Sequence, residues 1–457
     1  MILPDWLYAI SLTVLFAARG DAIQLDINDE KSIKNAAATA AFNMMSYYHG
    51  NESGQVPGKL DQTWWEGGAM FMTLIQYWFW TGDTSYNEVT TQGMLWQKGH
   101  NDYFPANYSN YLGNDDQVFW GLAAMTAAEL NFPEQDQEPS WLSLAQGVFN
   151  TQVPRWDTSS CDGGLRWQIW PYQAGYNTKN AISNGGLFQL AARLGRYTKN
   201  QTYIDWAEKI WDWSATTPLL KTAEWNIADT TTTDAKCKNH GDIQWTYNYG
   251  TYLSGAAYMY NLTNGDEKWK TAIDGLLGTT IAKFFPDEFG GNVMSEISCE
   301  PNMMCDRNQD CFKGFLSSWL TFATTIAPYT RDIILPKILA SAQAAAKQCS
   351  GGDSKTACGR RWHQQDQWDG SKSLESDMSA LSVFSSTMIT HKDKDQTPLT
   401  AETGGTSKSN PNAGSKHDER PNEPKPVTTG DRAGAWIVTF FFACGWVASV
   451  SWMVYGG

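Results

Sequence analysis

Basic residues are scarce in this chain. Lys and Arg number 34 against 48 Asp and Glu, a formal net charge of −14 at neutral pH. Nucleic-acid binding draws most of its strength from Lys and Arg on phosphates, so a nucleic-acid partner is excluded. Histidine is rarer still, with six residues at positions 49, 100, 240, 363, 391 and 417. The eight cysteines form no Cys-x-x-Cys pair, and the group Cys299, Cys305 and Cys311 has no neighbouring histidine. That distribution points to no metal site, and no cofactor is expected. Strand-type alternation is also scarce, which argues against sandwiches and β-barrels.

What replaces it is helical periodicity and aromatic mass. The 457 residues include 23 Trp and 19 Tyr. Large aromatics dominate burial, so most belong to a core, and the surplus suits a cleft with flat apolar faces. Between residues 31 and 388 the apolar spacing predicts twelve helices, at 31–48, 63–80, 84–97, 115–130, 140–152, 180–196, 201–214, 242–260, 266–284, 311–327, 331–348 and 373–388. Similar polar connectors recur after the long apolar helices: Thr81 to Tyr86, Thr198 to Tyr203 and Thr263 to Trp269. A helix-pair repeat of roughly 55–65 residues exceeds the common solenoid periods. The expected fold is therefore all-α, an (α/α)6 barrel of paired inner and outer helices. The segments 153–179, 215–241 and 285–310 would form long loops around a cleft at one face.

Both ends read as addresses. Residues 7–18 are apolar and are followed by Arg19-Gly20-Asp21-Ala22, which predicts a signal peptide over 1–22. Residues 23–390 then form the folded domain. The segment 391–434 is polar and poor in aromatics, and reads as a disordered linker. Residues 435–457 are almost wholly apolar, with no charge after Tyr455. A membrane span usually carries Lys or Arg beyond its cytoplasmic end. A removable GPI-attachment signal fits better, with Asn412-Ala413-Gly414 or Gly414-Ser415 as small-residue candidates for the attachment point. Sequons at Asn51, Asn107, Asn200 and Asn261 agree with secretion and are expected at the surface. With Cys444 in the tail, seven cysteines remain, so at least one stays outside any disulfide.

Asp115 and Asp116 sit in Gly113-Asn114-Asp115-Asp116-Gln117, directly before an apolar helical run. Asn114 is the expected N-cap, which puts both acids in the first turn. Acids there stabilise the helix through the macrodipole, and that reading stands by itself. Paired acids among aromatic walls are also what glycosidic bond cleavage requires. Four further segments fall near element starts and would share one cleft face. They are Trp64-Trp65-Glu66-Gly67-Gly68, Leu165 to Trp170, Lys179-Asn180-Ala181-Ile182-Ser183-Asn184-Gly185-Gly186, and Thr246-Tyr247-Asn248-Tyr249-Gly250.

These motifs, with Leu25-Asp26-Ile27, Met44 to Tyr48 and Met378-Ser379-Ala380-Leu381, resemble glycoside hydrolase family 76 over roughly residues 23–388. Within it, the chain is similar to the fungal GPI-anchored members that act in cell-wall assembly. The resemblance implies an (α/α)6 barrel and a retaining endo-α-1,6-mannosidase. Asp115 would be the nucleophile and Asp116 the general acid/base. It further implies cleavage of the GPI mannose core with transfer of the attached protein to wall glucan, at a cell surface reached through a GPI lipid in the plasma membrane. Plain α-1,6-mannan hydrolysis and a catalytically idle mannan-binding protein remain as alternatives. Trp64, Trp167 and Tyr247 are candidates for stacking on sugars. Asn180, Asn184 and Asn248 are candidates for mannose hydroxyls, and Lys179 for an anionic group such as a GPI phosphate. Each also has a structural reading as core aromatic, cap or surface cation. Arg166, Asp61 and Asp102 are weaker candidates of the same kind, and Glu66 is read as support for its helix start.

Overall fold

A computed structural model describes residues 22–60, 63–241, 243–364, 367–393, 396–414 and 428–455. Residues 1–21 of the expected signal peptide and the candidate Asp61 lie outside the described residues.

The helices are α1 (Glu30–Met45), α2 (Trp65–Thr81), α3 (Asn87–Trp96), α4 (Asn114–Glu129), α5 (Trp141–Gln152), α6 (Ala181–Thr198) and α7 (Gln201–Ala215). After them come α8 (Thr246–Leu262), α9 (Glu267–Phe284), α10 (Arg307–Asp310), α11 (Phe312–Ile326), α12 (Arg331–Gln348), α13 (Leu374–Thr387) and α14 (Thr429–Tyr455). All twelve expected helices are present with shifted ends, and the four-residue α10 is additional. Two short strands, β1 (Thr178–Asn180) and β2 (Thr230–Thr232), pair antiparallel, with Asn180 opposite Thr230.

Six helices form a closed inner ring, each packed on the next: α2, α4, α6, α8, α11, α13 and back to α2. An outer helix packs on each, α3, α5, α7, α9, α12 and α1 respectively, and α5 and α12 also reach the next inner helix, α6 and α13. This is an (α/α)6 barrel. The inner helices are buried on nearly every side; α4 is covered from Gln117 to Glu129. A helix apolar all round has no solvent face to present and must sit inside. The outer α7 shows the complement, burying Tyr203, Ala207, Ile210, Trp211 and Ser214 at helical spacing while its other face meets water. Close approach of α2 to α4 depends on Gly68, where a Cβ would meet the Trp120 ring at 2.9 Å. At about 1.5–3 kcal/mol per buried large apolar side chain, this ring is the main source of stability.

Because the inner helices alternate with antiparallel partners, all six run in one sense. Their N-termini gather at one face, together with the long loops. Three disulfides staple the domain: Cys161–Cys237, Cys299–Cys305 and Cys349–Cys358. Cys311 is the buried free thiol, in agreement with the odd count.

The linker expectation needs correction. Residues 396–414 run as a strap along the barrel. Leu399 N–H donates to the Glu129 carbonyl at 2.8 Å, Leu142 N–H to Ser407 Oγ at 2.9 Å, and Asn150 Nδ2 to the carbonyls of Pro411 and Ala413 at 2.8 Å. Thr400, Ser407 and Ala413 are buried. A polar sequence holds its place here because its backbone groups find partners on α4, α5 and α6. Asn412 to Gly414, offered as an attachment point, belong to this strap.

A separate unit, residues 417–457, contains α14. By length and composition α14 is apolar enough to cross a membrane, with a mean hydropathy of 1.8 over its best window.

Candidate active site

The acid pair sits where α4 begins. Gly113, not Asn114, is the N-cap, one residue earlier than expected. Asp116 accepts the Gly113 N–H at 2.6 Å, so the capping role is real. Asp115 accepts the Asp116 N–H at 3.0 Å and the Asn180 side-chain amide at 3.0 Å. Glycine at 113 leaves the acids their place: a Cβ there would lie 2.4 Å from Asp115 Oδ1 and 3.2 Å from Asp116 Oδ2, and the Asp115 carboxyl would have to move. Both oxygens thus lie within 3.2 Å of one point. Their separation is below the ~6.5–9.5 Å of an inverting glycosidase pair.

The helix start is tied down from the long loop. Asn114 donates from its backbone to the Trp167 carbonyl at 2.8 Å and from its side chain to the Arg166 carbonyl at 2.9 Å. Gln152 Nε2 holds the Asn114 carbonyl at 2.6 Å. Asp115 and Asp116 face a cavity of about 230 Å³ walled by Trp65, Phe119, Trp167, Tyr247 and Phe312, with Asn308 at its edge. Tyr247 stacks flat on Phe312, with centroids 3.8 Å apart and planes 3° from parallel. Trp167 stays 37% exposed, and its ring lies over Gly175, where a Cβ would sit 2.5 Å away.

Burial between these rings raises both carboxyls. Burial pushes Asp116 up to about 6, and burial with the neighbouring Asp116 charge pushes Asp115 well above the usual carboxylate range. Two such close carboxyls cannot both ionise cheaply, so the pair keeps one proton at neutrality. Its placement follows from the donors. Asp115 receives two N–H groups and Asp116 one, which favours the anion on Asp115 once a ligand breaks the symmetry.

The other candidates separate cleanly. Trp167 and Tyr247 line the cavity and Asn180 touches Asp115. Trp64 does not reach it: its ring stacks on Trp120 at 5.1 Å and its Nε1 donates to Gln97 at 2.8 Å, in the core. Its neighbour Trp65 lines the cavity instead. Asn184 is a staple, bonded both ways to the Leu165 backbone and to the Asn180 carbonyl. Asn248 is buried and donates to Asp229 at 2.9 Å. Lys179 is fully buried, with its ammonium on the carbonyls of Asp157, Ser160 and Gly163 and 3.3 Å from the Asp157 carboxylate. It closes a loop and is unavailable to a phosphate. Arg166 pairs with Asp157 at 2.9 Å, its structural alternative, and Asp102 is buried with its carboxylate on Phe104 N–H.

Of the sequons, Asn51 and Asn107 are exposed. Asn200 is half-buried and caps α7 by accepting Thr202 N–H at 3.0 Å. Asn261 departs from expectation, because its amide is spent on the Ile326 carbonyl and the Arg196 guanidinium.

Residue reading overlooked Trp65, Asn308, Phe312 and Asp229. Asp229 follows no motif, yet burial raises its carboxyl, and after burial itself its charge is the next cause, ahead of Asp115, of the raised Tyr247 phenol. The signal for Trp65 was present in the Trp64-Trp65 doublet, of which only one ring can face inward.

A family model described as glycosyl hydrolase family 76 matches residues 32–402. The chain is 41% identical to mannan endo-1,6-alpha-mannosidase DCW1 of Saccharomyces cerevisiae, over 97% of this chain and 98% of that one. It is 39% identical to mannan endo-1,6-alpha-mannosidase DFG5 of the same yeast, over 95% and 94%. Among solved structures it is similar to Dfg5 from Chaetomium thermophilum in complex with glucosamine, at 43% identity and a TM-score of 0.80, covering 85% of this chain and 97% of that one. An inactive variant of an alpha-1,6-mannanase of Salegentibacter sp. HEL1_6, in complex with alpha-1,6-mannotriose, superposes with a TM-score of 0.62 at 19% identity, covering 78% and 99%. At that identity the likeness speaks for the fold alone.

Proposed function

The chain belongs to glycosyl hydrolase family 76, and from that premise we propose a retaining endo-α-1,6-mannosidase that works as a transglycosylase at the fungal cell surface. In this reading it cleaves the mannose core of a GPI anchor and passes the attached protein to cell-wall glucan. Its donors are α-mannosides and its acceptor a glucan hydroxyl.

Asp115 attacks the anomeric carbon while Asp116 gives its proton to the departing oxygen. The mannosyl–Asp115 ester then yields to an acceptor hydroxyl, whose proton returns to Asp116. The observation that carries the reading is that Asp115 Oδ1 and Asp116 Oδ2 lie 2.4 and 3.2 Å from one point beside Gly113, which brings the two carboxyls closer than the ~6.5–9.5 Å of an inverting pair. Asn180 and the Asp116 N–H support the nucleophile's charge, and Trp65, Trp167 and Tyr247 offer flat faces for sugar rings. A lipid tether through the segment before α14 would keep the enzyme beside its donors.

Product analysis with a mannoside donor, with and without a glucan acceptor, tests this. New glycosidic products that appear only with acceptor support transfer. Acceptor-independent release of free mannose ends leaves plain hydrolysis of α-1,6-mannan. Retained mannan binding with no turnover at all would leave a binding protein.

A further inference from the structure

A second pair of carboxyl groups meets directly behind the cavity wall. Glu66 lies in the first turn of α2 beside Trp65, and Glu375 in the first turn of α13. Both side chains are fully buried. Glu66 Oε2 accepts the Thr63 hydroxyl at 2.5 Å. Glu375 Oε1 accepts two guanidinium N–H groups of Arg307, at 2.9 and 2.6 Å. The remaining oxygens, Glu66 Oε1 and Glu375 Oε2, have no hydrogen-bond partner among the described residues, and one guanidinium nitrogen, Arg307 Nη2, lies 3.9 Å from Glu66 Oε2 and 2.6 Å from Glu375 Oε1. Two buried carboxylates facing one guanidinium would repel, so the pair holds a proton. Thr63 already donates to Glu66, and Arg307 neutralises Glu375, which places that proton on Glu66.

The pair is connected to the site. Arg307 opens α10, and the next residue, Asn308, lines the cavity, as do Trp65 beside Glu66 and Phe312 beyond the buried Cys311. We propose that Glu66 and Glu375 are a proton-sharing pair of positioning residues: Glu66 Oε1–H donates to Glu375 Oε2, Glu375 holds Arg307, and Arg307 fixes the Trp65–Asn308–Phe312 side of the cavity. This rests on the reading of the cavity as a mannoside site.

Burial and the Glu375 charge push Glu66 up to about 8. The groups facing the pair are Thr63 before α2, Arg307, Asp310 and Cys311 from α10 and its end, Asp377 from α13, and Tyr47 after α1. Arg307 is the cation among them. Loss of the proton leaves two carboxylates for one guanidinium, and the wall loosens. The folded state binds this proton more tightly than the unfolded one, so its contribution is complete at low pH and is lost as pH rises through about 8.

The test uses the full chain with Asp115→Asn and Asp116→Asn, in which the cavity's own pair no longer titrates. Affinity for α-1,6-mannotriose should fall about tenfold between pH 7 and pH 9. Adding Glu66→Gln should flatten that curve, because the Gln amide donates to Glu375 without a proton to lose. Glu66→Ala should weaken binding at every pH. The melting temperature should follow the same pattern, falling over the interval in the parent and not in the Gln variant. Parallel pH curves for parent and Glu66→Gln, in binding and melting alike, overturn the proposal, as does a Gln variant as damaged as the Ala variant. If Glu66→Ala does not fold, the parent–Gln comparison decides. A parent that binds no mannotriose at any pH overturns the functional reading instead, and the melting curves still judge the carboxyl pair.

Discussion

The side-chain amide of Asn180, at the end of β1, reaches Asp115 Oδ2 at 3.0 Å on the first turn of α4. Two elements far apart in sequence thus meet on one oxygen, and neither places this carboxyl alone. A hydrogen bond to a charged acceptor contributes about 1.5–3 kcal/mol. Asn180→Ala should therefore cut kcat/KM by one to two orders of magnitude, with a much smaller effect on the melting temperature. Steady-state kinetics beside thermal unfolding would check it, and an unchanged kcat/KM would remove Asn180 from the site.

The acid limb of the pH–rate profile should belong to Asp116 and its partner. With Asp116 pushed up to about 6, a second proton binds the pair below that pH and neutralises the attacking carboxylate. kcat/KM should then fall about tenfold per pH unit. The two roles separate with an activated aryl mannoside, whose leaving group needs no proton. Asp116→Asn should still release the aryl group in a burst, whereas Asp115→Asn should not. A burst in Asp115→Asn alone would reverse the assignment.

Asp116→Asn should also raise the melting temperature at neutral pH. Raised carboxyls stabilise the fold at low pH and stop doing so as pH climbs through their folded pKa, here about 6. An amide at 116 relieves Asp115 of a second buried carboxyl and still accepts the Gly113 N–H. Differential scanning calorimetry at pH 7 reads this directly, and a lower midpoint would contradict it.

Lys179→Met should destabilise the domain by about 3 kcal/mol, because the carbonyls of Asp157, Ser160 and Gly163 would lose their shared buried donor while Arg166 still pairs with Asp157. Denaturant unfolding gives the number. Below the transition, KM for a mannoside should stay close to that of the parent. A large KM change with little loss of stability would return Lys179 to the binding site.

A chain ending at residue 414 should keep full stability, whereas one ending at 395 should lose several kcal/mol and expose the N-terminal end of α5. The Leu142 N–H and the Asn150 amide exchange their partners for water in the shorter form, at about 0.5–1.5 kcal/mol for each bond, and the apolar surface under the strap is exposed. Equal melting temperatures for the two would mean that the strap adds nothing.

The barrel and the acid pair were legible because both leave periodic or compositional traces. Inner helices such as α4 read as apolar on every side, and Gly113 to Gln117 read as a helix start with acids in it. What failed was the direction of single side chains. Trp64 and Trp65 are adjacent, yet consecutive residues at a helix start point about 100° apart, so one ring joined Trp120 and the other the cavity. Lys179 and Asn180 are adjacent on a strand, where neighbours face opposite sides. Asn180 therefore reached Asp115 and Lys179 turned into the loop behind it. The four-residue α10 is too short for any period to show. The strap at 396–414 was misread because its order comes from partners on the barrel, while its own composition resembles a free linker.

The strap also decides which way the enzyme is led. It starts on the Glu129 carbonyl at the far end of α4 and finishes at Gly414, against Asp102 and Gly147. The Asp102 carbonyl is held by the amide of Gln117, the residue after Asp116. The chain is thus carried the length of the barrel and let go beside its mouth. Any load on the sequence beyond Gly414 pulls on the rim of the cavity rather than on its closed base.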